Sequence, residues 1–88
     1  MNDKNLKIIK HYGFKNQQKK LQEEVFELQE AISLQKYGED TIEHITEEIA
    51  DVFVLLDQFV AYYDINPEEI KKIFEYKINR QIGRIKNN

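Results

Sequence analysis

Apolar residues return along this chain at helical rather than strand spacing. Leu21, Val25, Leu28 and Ile32 fall within about 60° of arc when residues are set 100° apart. That spacing predicts a helix over about residues 16–37, with Asn16 as its N-cap. Ile42, Ile45, Ile49, Val52, Phe53, Leu56, Phe59 and Val60 make a broader stripe, which predicts a second long helix over about 41–63. Asp40 with Glu43 three residues on reads as its capping box. Ala50, Val54 and Ala61 give that helix a second apolar face, so it is expected to be buried from two directions. Asn66-Pro67-Glu68-Glu69 combines a cap, a proline at the first helical position and acids in the first turn, and it opens a last helix running toward residue 85. Leu6, Ile8 and Ile9 predict a short helix ahead of Gly13, and Gly38 closes the second. No two-residue alternation appears, so the expected fold is all-α with four helices.

Eighty-eight residues have room for one core, and the expectation is a single domain over 1–88. With 41% hydrophobic and 33% charged residues, the chain has the balance of an ordered globular protein. A chain this short buries only roughly 60–70% of its unfolded surface, so a homodimer or homotetramer is expected. There is no cysteine, which excludes a disulfide framework and a thiolate zinc site. Residues 1–7, Met-Asn-Asp-Lys-Asn-Leu-Lys, lack a leader-like apolar run, and no stretch approaches the roughly 18 apolar residues of a membrane span. The expectation is a soluble, cytoplasmic protein without a membrane partner.

The net charge of −3 conceals a segregation that narrows the choice of partner. Residues 1–22 hold lysines 4, 7, 10, 15, 19 and 20 against the single acid Asp3, whereas residues 23–57 hold eleven acids against Lys36 alone. From residue 64 onward there are again six bases against four acids. An acidic centre argues against nucleic acid lying across the domain.

The acids themselves are placed unusually. Glu24 borders the apolar stripe of its helix and Glu27 lies further around the same flank; on the next helix Glu48 edges the stripe, with Asp51 beyond it. Two carboxylates three residues apart on a helix are neighbours, roughly 5–6 Å apart at Cβ. Two such pairs on packed antiparallel helices bring four anionic groups into one small volume, where they repel unless a cation lies between them. Hard oxygen ligands without His or Cys favour Mg²⁺, or Mn²⁺, and Mg²⁺ commonly completes its shell with water and substrate phosphate.

Glu24-Val25-Phe26-Glu27, twenty intervening residues, then Glu48-Ile49-Ala50-Asp51 resembles the Glu-x-x-Glu, spacer, Glu-x-x-Asp signature of the MazG-like all-α nucleoside triphosphate pyrophosphohydrolases. The resemblance covers nearly the whole chain: a lead-in helix, the segment QKKLQEE before the glutamate helix, EEIADVFVLL, and a basic last helix. It implies Mg²⁺-dependent hydrolysis of a nucleoside or deoxynucleoside triphosphate to the monophosphate and pyrophosphate, with Glu24, Glu27, Glu48 and Asp51 as metal ligands. Clearance of aberrant nucleotides is one role that fits such an activity. Members tend to carry Lys, Asn and Arg in the last helix, and here Lys77, Asn79, Arg80 and Arg84 stand in that region. Lys77, Arg80 and Arg84 share a helix face and are candidates to hold phosphates; a solvated basic helix end is the competing account.

Other residues carry less. Glu23 and Glu47 adjoin the ligands as possible water-orienting groups, with helical angles pointing partly away. His44 lies on the side of Glu48 and reads as a surface or polar-network residue. Tyr12, Phe14, Tyr62 and Tyr63 read as core or interface aromatics before base-stacking ones. The glycines are isolated, so no phosphate-cradling loop exists. The alternative from another class is a non-catalytic helical oligomer, a binding or regulatory module whose acids pair with Lys19, Lys20, Arg80 and Arg84 across interfaces.

Overall fold

The computed structural model describes residues 3–87. It is all-α: α1 (Asp3–Tyr12), α2 (Phe14–Lys36), α3 (Ile42–Tyr62) and α4 (Pro67–Lys86), with no strand among the described residues. None of these helices is long and apolar enough to cross a membrane.

Local chemistry sets each boundary, and two caps differ from the sequence expectation. Asn16 does not cap α2. The cap position is Gly13, whose φ of 95° lies where a Cβ is disfavoured, and Asn16 instead donates from Nδ2 to the Tyr12 carbonyl at 2.7 Å, closing the end of α1. At the start of α3 the cap is Thr41 rather than Asp40: Thr41 Oγ1 accepts the His44 backbone N–H at 3.1 Å. Asp40 stands one residue earlier and accepts the Thr41 N–H at 2.7 Å. Asp and Thr both serve as caps, and spacing alone could not choose between neighbours. Gly38 (φ 76°) ends α2 in the left-handed conformation, with Gly38 N–H to Gln35 O and Glu39 N–H to Leu34 O forming a Schellman closure. Asp64 (φ 54°) does the same after α3. Asn66 caps α4 as expected, its Oδ1 accepting the Glu68 N–H at 3.0 Å.

α3 is the central helix, packed against both α1 and α2. Gln17 meets Gln58 near one end of the α2–α3 contact and Glu24 approaches Glu48 further along, so the two helices run antiparallel. Phe14 at the start of α2 packs on Phe59, Tyr62 and Tyr63 at the end of α3, with ring centroids 5.4, 5.0 and 6.1 Å away. The aromatics expected as packing residues thus join these two helix ends, and Tyr12 alone of the four stands apart against His11.

The buried face is not the greasiest one. On α3 the residues that point inward are Glu48, Val52, Leu55, Gln58 and Ala61, while Ile42, Ile49, Phe53 and Leu56 of the predicted main stripe are exposed. On α2 the buried residues are Gln17, Glu24 and Ala31, and Val25 and Ile32 are exposed. α4 buries nothing, although Ile70, Ile73, Phe74, Ile78, Ile82 and Ile85 lie along it. The chain's small core, Ile9, Ala31, Val52, Leu55 and Ala61, therefore lies on the polar-containing side of the long helices.

Candidate metal centre and adjoining cleft

Each of the two inner helices contributes one buried glutamate at matching height. Glu24 on α2 and Glu48 on α3 are both 8% exposed, and Glu27 joins them one turn on from Glu24. One carboxylate oxygen from each of the three lies within 4.8 Å of the others. Three like charges so close disfavour full ionisation. The Glu27 carboxyl is accordingly held above its ordinary value, chiefly by the charge on Glu24, then by desolvation and by Glu48.

The two buried glutamates are held in the same way. Lys20, one turn before Glu24, contacts Glu24 Oε1 at 3.3 Å; His44, one turn before Glu48, contacts Glu48 Oε1 through Nε2 at 3.1 Å. The other ring nitrogen of His44 meets Asp40 at 2.8 Å, so the imidazole spans from the helix start to the acidic cluster. In both glutamates the second oxygen, Oε2, is buried without a hydrogen-bond partner. A carboxylate oxygen kept from water and left unpaired is costly unless a cation or proton takes it. The donor set, oxygen alone at the core of the cluster, suits Mg²⁺ or Mn²⁺.

The remaining expected residues fall elsewhere. Asp51 is exposed and stands outside the close trio, but it lines a cleft of about 560 Å³ whose wall also includes Glu24. Lys20 and the amides of Gln17 and Gln58 border the same cleft, with Ile8 and Tyr12 reaching in from α1. Glu23 and Glu47 are exposed. Lys77, Arg80 and Arg84 lie on α4, which makes at most a marginal contact with the other helices, so the fold does not bring them to the acids of α2 and α3. Arg80 instead rests over the Tyr76 ring at 5.9 Å.

Lys20, expected to pair with acids only in the non-catalytic alternative, and His44, expected as a surface or polar-network residue, both contact the buried glutamates of the centre. Their signal was present: each is a base four residues before a stripe-edge glutamate, the spacing of helical ion pairs. Gln17 and Gln58 gave no comparable signal. Set against protein-family models, curated proteins and solved structures, the chain matches none.

Proposed function

We propose that this chain is a metal-dependent nucleoside triphosphate pyrophosphohydrolase, as its resemblance to the MazG-like enzymes implies. The observation that carries the reading is the pair of buried, unpartnered oxygens on Glu24 and Glu48 within a trio of converging carboxylates. Glu24, Glu27 and Glu48 would hold Mg²⁺ or Mn²⁺, with Asp51 at the cleft edge as the fourth ligand of the motif. When bound, the ion supplies charge neutralisation of the triphosphate and polarisation of a water for attack on phosphorus. The chain's own residues orient that chemistry. Lys20 and His44 each fix one oxygen of a buried glutamate and leave the other free, and Lys20 places a positive charge at the cleft, where a phosphate chain needs one.

The site is completed, in this reading, by a second copy of the chain. Lys77, Arg80 and Arg84 cannot serve the acids of their own protomer from an unpacked α4, so any phosphate contact they make is to a neighbouring copy.

The direct test is pyrophosphate release from a panel of canonical and modified nucleoside triphosphates with Mg²⁺, with Mn²⁺ and with chelator. Metal-dependent release that is lost in Glu48→Gln is the expected result. The ion pairs Lys20–Glu24 and His44–Glu48 favour a second reading, a non-catalytic helical module whose acids are neutralised internally. On that reading no substrate releases pyrophosphate, and Glu48→Gln loosens the fold or assembly instead.

A further inference from the structure

Beside the acids, the cleft has a floor of unusual composition. Gln17 and Gln58 are 6% and 3% exposed, and Gln17 Nε2 donates to Gln58 Oε1 at 2.8 Å across the α2–α3 contact. That bond uses one donor and one lone pair. A primary amide offers two donors and an acceptor with two lone pairs, and among the described residues no other hydrogen bond to either side chain is found. What remains is one donor and both lone pairs on Gln17, and both donors and one lone pair on Gln58; turning both amides together exchanges these roles and keeps the bond. Both residues line the cleft. Among the described residues the buried unpartnered side-chain atoms are the two glutamate oxygens, and neither amide contributes to them. The two partnerless amide atoms, Gln17 Oε1 and Gln58 Nε2, are therefore not sealed in the interior, and they sit on residues that line the cleft.

The surroundings restrict what those groups recognise. Ile8, Val54 and Leu55 line the cleft with apolar surface, Tyr12 stands at it with an exposed ring, and Lys20 and Glu24 stand at its acidic side. A neutral amide edge has no particular fit to a phosphate or a metal ion. It fits a flat, uncharged ring carrying a donor beside an acceptor, flanked by apolar walls. We propose that the Gln17–Gln58 pair reads the hydrogen-bonding edge of a nucleobase seated in this cleft, with the nucleotide's phosphates toward the glutamate trio. This rests on the nucleotide reading above and adds the residues that select the base.

The test uses the full chain in Mg²⁺ and probes that are not turned over: nucleoside 5′-monophosphates carrying different bases, and ribose 5-phosphate, which has none. The side-chain amide signals of Gln17 and Gln58 are followed by ¹⁵N NMR during titration. At least one base is expected to shift both amides while ribose 5-phosphate shifts neither. Gln17→Leu and Gln58→Leu should each weaken the preferred nucleotide roughly tenfold, because a hydrogen-bonding edge of the base loses its partner, and should leave ribose 5-phosphate within about twofold. If Gln58→Leu does not fold, the wild-type shifts and Gln17→Leu still decide. The inference is overturned if no base moves these amides, or if the folded variants keep the full spread of affinities among bases. The two proposals fail separately. Pyrophosphate release that depends on Glu48 but ignores the base removes this one, whereas base-selective amide shifts without release under any metal remove the hydrolase.

Discussion

Glu24 and Glu48 each have one satisfied oxygen and one that is buried and unpaired, and this asymmetry gives the centre its testable properties. Without metal, the trio is a site of repulsion, so Glu48→Gln should leave the chelated protein as stable as wild type or more so. With metal at about 100 times its Kd, binding linked to folding contributes ~2.7 kcal/mol. For a domain of this size that corresponds to a rise in Tm on the order of 10 °C. Calorimetry with and without Mn²⁺ should show that rise in wild type and not in Glu48→Gln; equal rises in both would place the ion elsewhere. His44 answers to pH. Its imidazole is held above the ordinary value chiefly by its hydrogen bond with Asp40, with Glu48 adding to the effect. The Asp40 carboxyl is held below its ordinary range by the His44 bond and then by the Thr41 N–H. A raised histidine stabilises fully below its unfolded value of roughly 6.5 and ceases to do so as pH rises through the folded value; a lowered aspartate stabilises above roughly 3.9 and ceases to do so as pH falls through its folded value. The pair thus supports the start of α3 best between about pH 4 and 6.5. In chelator, the Tm difference between wild type and His44→Ala should be largest near pH 5 and shrink toward pH 8. A difference that stays constant over that range would show that His44 contributes by packing alone.

α3 begins where a side-chain oxygen meets the His44 N–H, and that oxygen belongs to Thr41. Thr41→Ala should therefore cost about 1 kcal/mol, the usual worth of an N-cap, and lower Tm by about 4–8 °C. Asp40→Ala should act differently: it removes the partner of His44 as well as the acceptor of the Thr41 N–H, and so adds a pH-dependent loss to a pH-independent one. Thermal scans of both variants at pH 5 and pH 8 separate the two roles. Helix number and approximate extent were readable from apolar spacing, because a long amphipathic run bounded by Gly38 and by Asn66-Pro67 leaves few alternatives. The gathering of Glu24, Glu27 and Glu48 was readable from two acid pairs at helical spacing on adjacent antiparallel helices, but the expected fourth member, Asp51, stands outside the trio at the cleft edge. The inward face was not. Spacing identifies the most apolar stripe, yet Ile49, Phe53 and Leu56 point outward and Glu48, Leu55 and Gln58 point inward. A single sequence does not say whether a stripe is buried within a chain or between chains. Gln17 and Gln58 were invisible for a related reason: an amide becomes informative only when its partner and its depth are known.

The molecule is too extended for its length. Its radius of gyration is 16.0 Å, against about 12 Å for a compact chain of this size, and α4 has no buried residue. Of the second apolar face of α3, Ala61 is buried within the chain whereas Ala50 and Val54 are exposed, and Ile49, Phe53 and Leu56 of the main stripe and the apolar residues of α4 are uncovered as well. A 20-residue helix gains little lasting order from propensity alone in water. Burying each Ile or Phe along it contributes about 1.5–3 kcal/mol relative to exposure. The physical account that leaves neither face wet is a second copy, with the apolar side of one protomer's α4 and the α3 stripe covered in the assembly. That arrangement also leaves Lys77, Arg80 and Arg84 available to a neighbour's acids. We therefore expect the protein to sediment at micromolar concentration as a dimer or larger. Phe74→Asp with Ile78→Asp should bring it to monomer mass and, because α4 would lose its cover, remove helical circular dichroism equivalent to up to 20 residues. Pyrophosphate release should fall with the mass if a neighbour's cations complete the site, and persist in the monomer if they do not. A wild-type chain that is monodisperse as a monomer, with the helical signal of all four helices intact, would remove the partner from the account and leave α4 without a reason for its isoleucines.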